Sequence, residues 1–314
     1  MIISASRRTD IPACYSEWFF NRLRERYVLV PNPFKAKQIS RVSLDPAVVD
    51  CLVLWTKNPA PMLGRLDELE AWNYYFQFTL NAYGREIESR LPPLDERIGT
   101  LRRLAERIGP ERVIWRYDPV FVNERYPVAF HEEAFERIAS ALRGCTTRCM
   151  LGFLDPYAHL RRPMQALHLA SPDPAEIEQV AGSCKLAADR YAIRLETCTS
   201  KTDLRRLGIP PGRCIDRELV ERLTGCPLAA RKDPGQRTVC NCIESIDIGT
   251  YSTCLNGCAY CYANRVDHRT ALTNRRRHDP RSPLLIGTLS DLPADAVIRD
   301  RRMRSLKDPQ RGLL

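Results

Sequence analysis

This sequence predicts an α/β fold made of parallel βαβ units. Three observations carry the prediction: short β-rich apolar runs recur, a helix-length segment separates most neighbouring runs, and polar residues gather just after each run. The first run, residues 2–6, leads into Arg7, Arg8, Thr9 and Asp10. Run 51–56 leads into Lys57 and Asn58, and run 74–80 into Asn81. Run 113–117 gives Arg116-Tyr117-Asp118-Pro119, run 150–154 is followed by Asp155, and run 194–197 closes on Glu196-Thr197-Cys198. Helices are expected at 15–27, 62–70, 96–108, 130–142 and 175–191. The last shows the period best, with Ile177, Val180, Cys184, Ala187 and Tyr191 spaced by three and four. Strands joined by right-handed helical crossovers lie parallel in one sheet. The units therefore predict a (β/α) barrel or partial barrel of about six to seven strands. A seventh run, 245–250, would add the last strand.

Three segments follow from this pattern. Residues 1–204 carry the barrel units. Residues 205–265 form a Cys-rich segment, with a short helix at 216–223 that Asp216 would cap and Glu218 would suit through the dipole. Residues 266–314 make a basic extension expected to pack on the barrel.

Composition narrows the class. The chain has 314 residues, 44% hydrophobic and 27% charged, which suits a globular protein able to bury a full core. No apolar stretch approaches the ~20 residues of a membrane span, and the first residues lack a secretion signal, so a cytoplasmic location is expected. Thirteen cysteines would be odd as disulfides in a reducing cytosol, and those that group together point to metal. The net charge of +10 permits nucleic acid or another polyanion as partner. No Walker loop, dinucleotide fingerprint or nucleophile elbow is present.

The chemistry concentrates in Thr-Cys-Leu-Asn-Gly-Cys-Ala-Tyr-Cys-Tyr-Ala, where Cys254, Cys258 and Cys261 follow a Cys-x3-Cys-x2-Cys spacing. Soft thiolates this close can each take one iron of a 4Fe–4S cube and leave the fourth iron for a cysteine elsewhere or a small molecule. Gly249 and Gly257 would let backbone turn close to such a cluster. The alternative for the loop is zinc, with Cys242 or His268 as a fourth ligand. A second group, Cys198, Cys214, Cys240 and Cys242, is a candidate further iron–sulfur or zinc site. Cys51 and Cys184 fall in apolar segments and read as core; Cys14, Cys145, Cys149 and Cys226 show no partner pattern.

The loop spacing, with Tyr260 before the last cysteine, resembles the cluster loop of radical S-adenosylmethionine (SAM) enzymes. The phrases Ile-Ser-Ala-Ser-Arg-Arg-Thr-Asp-Ile-Pro-Ala, Trp-Thr-Lys-Asn-Pro-Ala-Pro-Met, Ile-Trp-Arg-Tyr-Asp-Pro and Ile-Gly-Thr-Tyr-Ser-Thr-Cys resemble the bacterial family domain of unknown function 1848 from residue 1 to about residue 289. That family carries C-terminal cysteines like those of the radical SAM loop. The resemblance implies a 4Fe–4S cluster on Cys254, Cys258 and Cys261, SAM at the open iron, Tyr260 beside its adenine, and a reducing partner such as flavodoxin or ferredoxin. Radical SAM enzymes place this loop after their first strand, so its late position here implies a circularly permuted barrel, with 245–250 equivalent to the usual first strand.

Strand C-terminal ends form the working face of parallel barrels. Arg7, Arg8, Asp10, Lys57, Arg116 and Asp118 are therefore candidate catalytic residues, with Asn58, Glu196 and Gly257 as cofactor contacts. The basic members would meet an anionic substrate, a nucleotide or nucleic acid. The cluster loop is also loosely similar to that of spore photoproduct lyase. The competing reading is a non-catalytic zinc- or cluster-binding protein that binds nucleic acid through its basic surface.

Overall fold

A single parallel sheet organises the chain. The computed structural model describes residues 1–155, 161–264, 268–308 and 310. Seven strands lie in the order β8-β7-β6-β5-β4-β1-β9: β1 (Ile2–Ala5), β4 (Cys51–Thr56), β5 (Tyr74–Thr79), β6 (Val113–Val120), β7 (Arg148–Phe153), β8 (Arg194–Thr197) and β9 (Ile246–Asp247). Every pairing in it is parallel. The helices include α1 (Ile11–Cys14), α2 (Ser16–Glu25), α3 (Leu94–Ile108), α4 (Val128–Ala141), α5 (Arg161–Ala166), α6 (Pro174–Arg190), α7 (Arg217–Thr224) and α8 (His268–Arg276). The expected helix at 62–70 is instead 3-10 helix across Ala60–Leu69, broken by a kink at Arg65.

A parallel sheet must be covered on both faces. One face, with Ile3, Leu52, Leu54, Phe76, Phe78, Trp115 and Leu151, is buried beneath α2, α3, α4 and α6 through Trp18, Leu101, Phe135 and Val180. The opposite face presents Ile2, Val53, Tyr75, Ile114 and Met150. Ile215, Leu219, Val220, Cys240, Cys242 and Ile243 cover it. The Cys-rich segment thus fills the space inside the sheet. At about 0.8 kcal/mol per buried methylene, these side chains stabilise its seating substantially.

The sheet is open, which corrects the expectation of a closed barrel. The free edge of β8 is taken by a loop: Thr197 N donates to Pro210 O at 3.0 Å and Gly212 N to Thr197 O at 2.8 Å. At the other edge β9 is two residues long and pairs only with β1. Neither edge offers the other a full ladder of backbone groups.

A second sheet was not foreseen. β2 (Tyr27–Asn32) and β3 (Lys35–Ser43) form a hairpin, and β10 (Val297–Asp300) adds parallel to β3. All four residues of β10 are exposed, so the strand lacks the apolar alternation that marks a half-buried one. The C-terminal extension also reaches the main body, where Trp18 Nε1 donates to Ser282 O at 2.9 Å and Leu29 N to Pro283 O at 2.9 Å. Among the described residues no helix is long and apolar enough to cross a membrane.

Candidate metal centre and its cavity

The C-terminal strand ends and the cysteine loop surround one cavity of about 300 Å3. Its lining includes Cys254, Cys258 and Cys261 from the loop and Cys198, Cys214, Cys240 and Cys242 from the second group. Arg7, Asp10, Lys57, Arg116, Asp118 and Tyr260 line it as well. Arg8, Asn58, Glu196 and Gly257 stand outside the lining.

The loop is held from three sides. Asp10 caps α1 by accepting from Ala13 N, and its other oxygen accepts from Asn256 Nδ2 at 2.8 Å and Lys57 N at 2.7 Å. One buried carboxylate thereby joins β1, β4 and the cysteine loop. Burial pushes its pKa up, against the bonds that favour the charged form. Residues 87–90 form the second support: Ala259 N donates to Ile87 O at 2.8 Å and Ser89 Oγ to Gly257 O at 3.1 Å. Gly257 adopts φ +68°, a left-handed conformation that glycine enters at no steric cost. The third support is Tyr15, whose hydroxyl donates to Thr253 O at 2.7 Å. Gly249 is fixed by space, because a Cβ there would come within 2.0 Å of Ser6 Oγ.

Behind Cys258 lies a buried charge network. Lys57 Nζ stands 2.8 Å from Glu88 Oε1 and 2.9 Å from the Tyr260 hydroxyl, which also donates to Glu88. Arg97 Nη1 reaches the other Glu88 oxygen at 3.2 Å. Burial opposes the Glu88 charge, yet Lys57 and Arg97 together hold its pKa below the ordinary carboxylate value. The Tyr260 ring packs beside Tyr83 and Phe121. Burial pushes the Cys258 thiol well up, and the Lys57 charge acts against that rise. Burial also raises Cys261, to about 12.

The seven thiols fall into two arrangements. Cys254, Cys258 and Cys261 influence one another through charge, and no S–S hydrogen bond joins them among the described residues. Cys254 instead contacts Cys14 at the end of α1, a neighbour the sequence did not reveal. In the second group Cys198 Sγ lies 3.3 Å from Cys214 Sγ, Cys242 Sγ accepts from Ile215 N at 3.3 Å, and the Cys242 thiol bears on the pKa of both Cys214 and Cys240. Arg116 faces this group, with Nη1 2.7 Å from Cys214 Sγ and Nη2 3.6 Å from Cys198 Sγ. Among the described residues no group of three or more His, Cys, Asp or Glu side chains is arranged to hold a metal ion as the side chains stand. Cys242 belongs with the second group, and the side chain of His268 lies outside the described part.

The remaining candidates have defined partners. Arg7 Nη2 donates to Ser245 Oγ at 3.0 Å and lies 3.4 Å from Asp233, while Arg8 Nε lies 3.8 Å from Asp247. Asp247, missed in the sequence, accepts from Ser4 Oγ, Ser6 Oγ, Arg7 N and Gly249 N and so ties β1 to β9. Arg116 also pairs with Asp118. Glu196 is spanned by Arg148 at 2.9 Å and Arg194 at 2.7 Å, and burial raises its pKa. Asn58 is a turn residue, its Oδ1 accepting from Ala60 N. Glu88 was also missed, because it follows no strand-like run; its loop returns to the site only through the fold.

A parallel α/β protein with a thiol-lined cavity at its strand C-terminal ends is the class this geometry defines. By sequence the chain belongs to the family described as domain of unknown function (DUF1848), which it matches over residues 2–263. Comparison with curated proteins and with solved structures gave no match.

Proposed function

We propose that this protein is a radical SAM-like iron–sulfur enzyme on a permuted parallel sheet. The observation that supports the reading most is the meeting of Cys254, Cys258 and Cys261 in one cavity at the strand ends. The donor set suits the group in kind: three soft thiols on one braced loop. β9 delivers the loop beside β1, as the permuted order requires. These three cysteines would hold the cluster, and Tyr260 would border SAM. When bound, such a cluster would supply one-electron reducing chemistry for the cleavage of SAM.

The chain's own residues orient and shield. Asp10 and Asn256 fix the loop, and Lys57 places a positive charge beside Cys258 that offsets thiolate charge. Tyr83, Phe121 and Leu154 form an apolar wall that limits water. Arg7, Arg8, Lys57 and Arg116 each have a carboxylate within 4.0 Å, so the mouth is nearly charge-balanced. An anionic substrate, such as a nucleotide, would be recognised by directed hydrogen bonds more than by long-range attraction. The electron would come from a small reductant such as flavodoxin or ferredoxin.

Anaerobic reconstitution with iron and sulfide, followed by dithionite and SAM, tests the proposal. The expected result is 5′-deoxyadenosine formed by the native chain and none by the Cys254→Ala/Cys258→Ala/Cys261→Ala variant. Zinc at the loop without sulfide would overturn it.

A further inference from the structure

We infer that Cys198, Cys214, Cys240 and Cys242 form a second, separate metal centre, a four-thiolate site for one zinc ion that fastens the Cys-rich segment inside the sheet. The inference does not depend on what the tri-cysteine loop binds. Its first support is convergence. The four residues come from the end of β8, from the loop before α7 and from the Cys240-Asn-Cys242 turn, yet all four line the same cavity, and Cys198 Sγ lies 3.3 Å from Cys214 Sγ.

Distance separates one ion from a cube. Tetrahedral zinc with Zn–S near 2.3 Å places its sulfurs about 3.8 Å apart. The 3.3 Å between Cys198 and Cys214 is close to that edge and too long for the ~2.05 Å of a disulfide. A cube puts each ligand sulfur on a different iron and so spreads them further.

The surroundings are those of thiolate ligands. Ile215 N donates to Cys242 Sγ at 3.3 Å, and the Arg116 guanidinium points at two of the sulfurs. Tyr75 Oη and Gln77 Nε2 both donate to Cys214 O, at 2.7 Å and 2.8 Å, and fix the ligand's backbone. Such outer bonds orient metal ligands and are costly to remove. Four thiolates around a divalent ion leave two negative charges, and the Arg116 guanidinium, shared with Asp118, donates to two of the sulfurs. Uptake of the ion releases the four thiol protons to solvent, with no change of oxidation state.

The test uses the full-length Cys254→Ala/Cys258→Ala/Cys261→Ala variant, purified anaerobically and analysed for zinc, iron and sulfide. Zinc near one equivalent without sulfide is expected, and it should disappear when Cys240→Ser and Cys242→Ser are added. No bound metal, or iron with sulfide, overturns the assignment. Should the five-fold variant fail to fold, cobalt exchange into the triple variant provides the answer. Intense thiolate-to-cobalt absorption is expected, and its absence overturns the site. Thiol alkylation released by reductant rather than by chelator would mean a disulfide and overturn it equally.

Discussion

The two cysteine groups share one cavity but are built in opposite ways. Cys254, Cys258 and Cys261 lie within eight residues on one loop, braced from outside by Asp10, residues 87–90 and Tyr15. Cys198, Cys214, Cys240 and Cys242 span 45 residues and meet only because the segment between them folds against the sheet. The first group holds its shape through its supports, whatever it binds. The second is anchored at Cys214 by Tyr75 and Gln77 but joins three separate stretches of chain, so a metal bound there should count toward stability.

The largest effects should come from breaking each group separately. Any one of Cys254→Ala, Cys258→Ala or Cys261→Ala should cut bound iron and SAM cleavage to background while the melting temperature falls modestly, as paired iron analysis and thermal unfolding would show. Cys214→Ser should do the reverse. Its loss of zinc should cost several kcal/mol, because ion binding to a folded site is linked to folding. Equal destabilisation by the two kinds of variant would erase the distinction drawn here.

Next in size is Glu88. Replacing it by Leu leaves the Lys57 and Arg97 charges buried without their shared carboxylate, at a cost of about 3–5 kcal/mol. Denaturant unfolding reads that cost. Iron uptake should fall with it, because the strand-like bridge from Glu88 to Cys258 belongs to the loop's support, whereas zinc should stay.

His131 tests the wall behind the loop. Its Nδ1 is 3.0 Å from the Tyr117 hydroxyl and its Nε2 2.8 Å from Phe121 O, and burial depresses its pKa to about 4. The folded state therefore binds fewer protons than the unfolded chain between about pH 4 and 6.5. Stability from this residue is full above about pH 6.5 and is lost as pH falls toward 4, by at most about 3 kcal/mol. His131→Asn should flatten the stability curve in that window; an unchanged slope would assign the acid sensitivity elsewhere.

The smallest effect is expected at Cys14. It touches Cys254 without lining the cavity, so Cys14→Ser should cost about 1 kcal/mol or less and leave iron content and SAM cleavage intact. A large loss of iron would make Cys14 a ligand and close the loop site to SAM.

Much of this architecture was legible in the residues. Runs 51–56 and 194–197 coincide with β4 and β8, and Asp216 caps α7 as its type and position suggested. These features are local: apolar runs, a capping side chain, cysteines a few residues apart. The polar strand ends also pointed to the cavity, since strand direction places them on one face. The open edge of the sheet was not legible, because it depends on Pro210 and Gly212 reaching Thr197. Nor was the division of labour among the polar residues. Asp10 and Glu88 are bound into the loop's supports, and Glu196 into ion pairs with Arg148 and Arg194, by partners distant in sequence. Local pattern determined the elements and the tri-cysteine loop, since propensity and spacing act over a few residues. Which charges are satisfied, and which sulfurs meet, was decided only when burial forced distant polar groups to find one another.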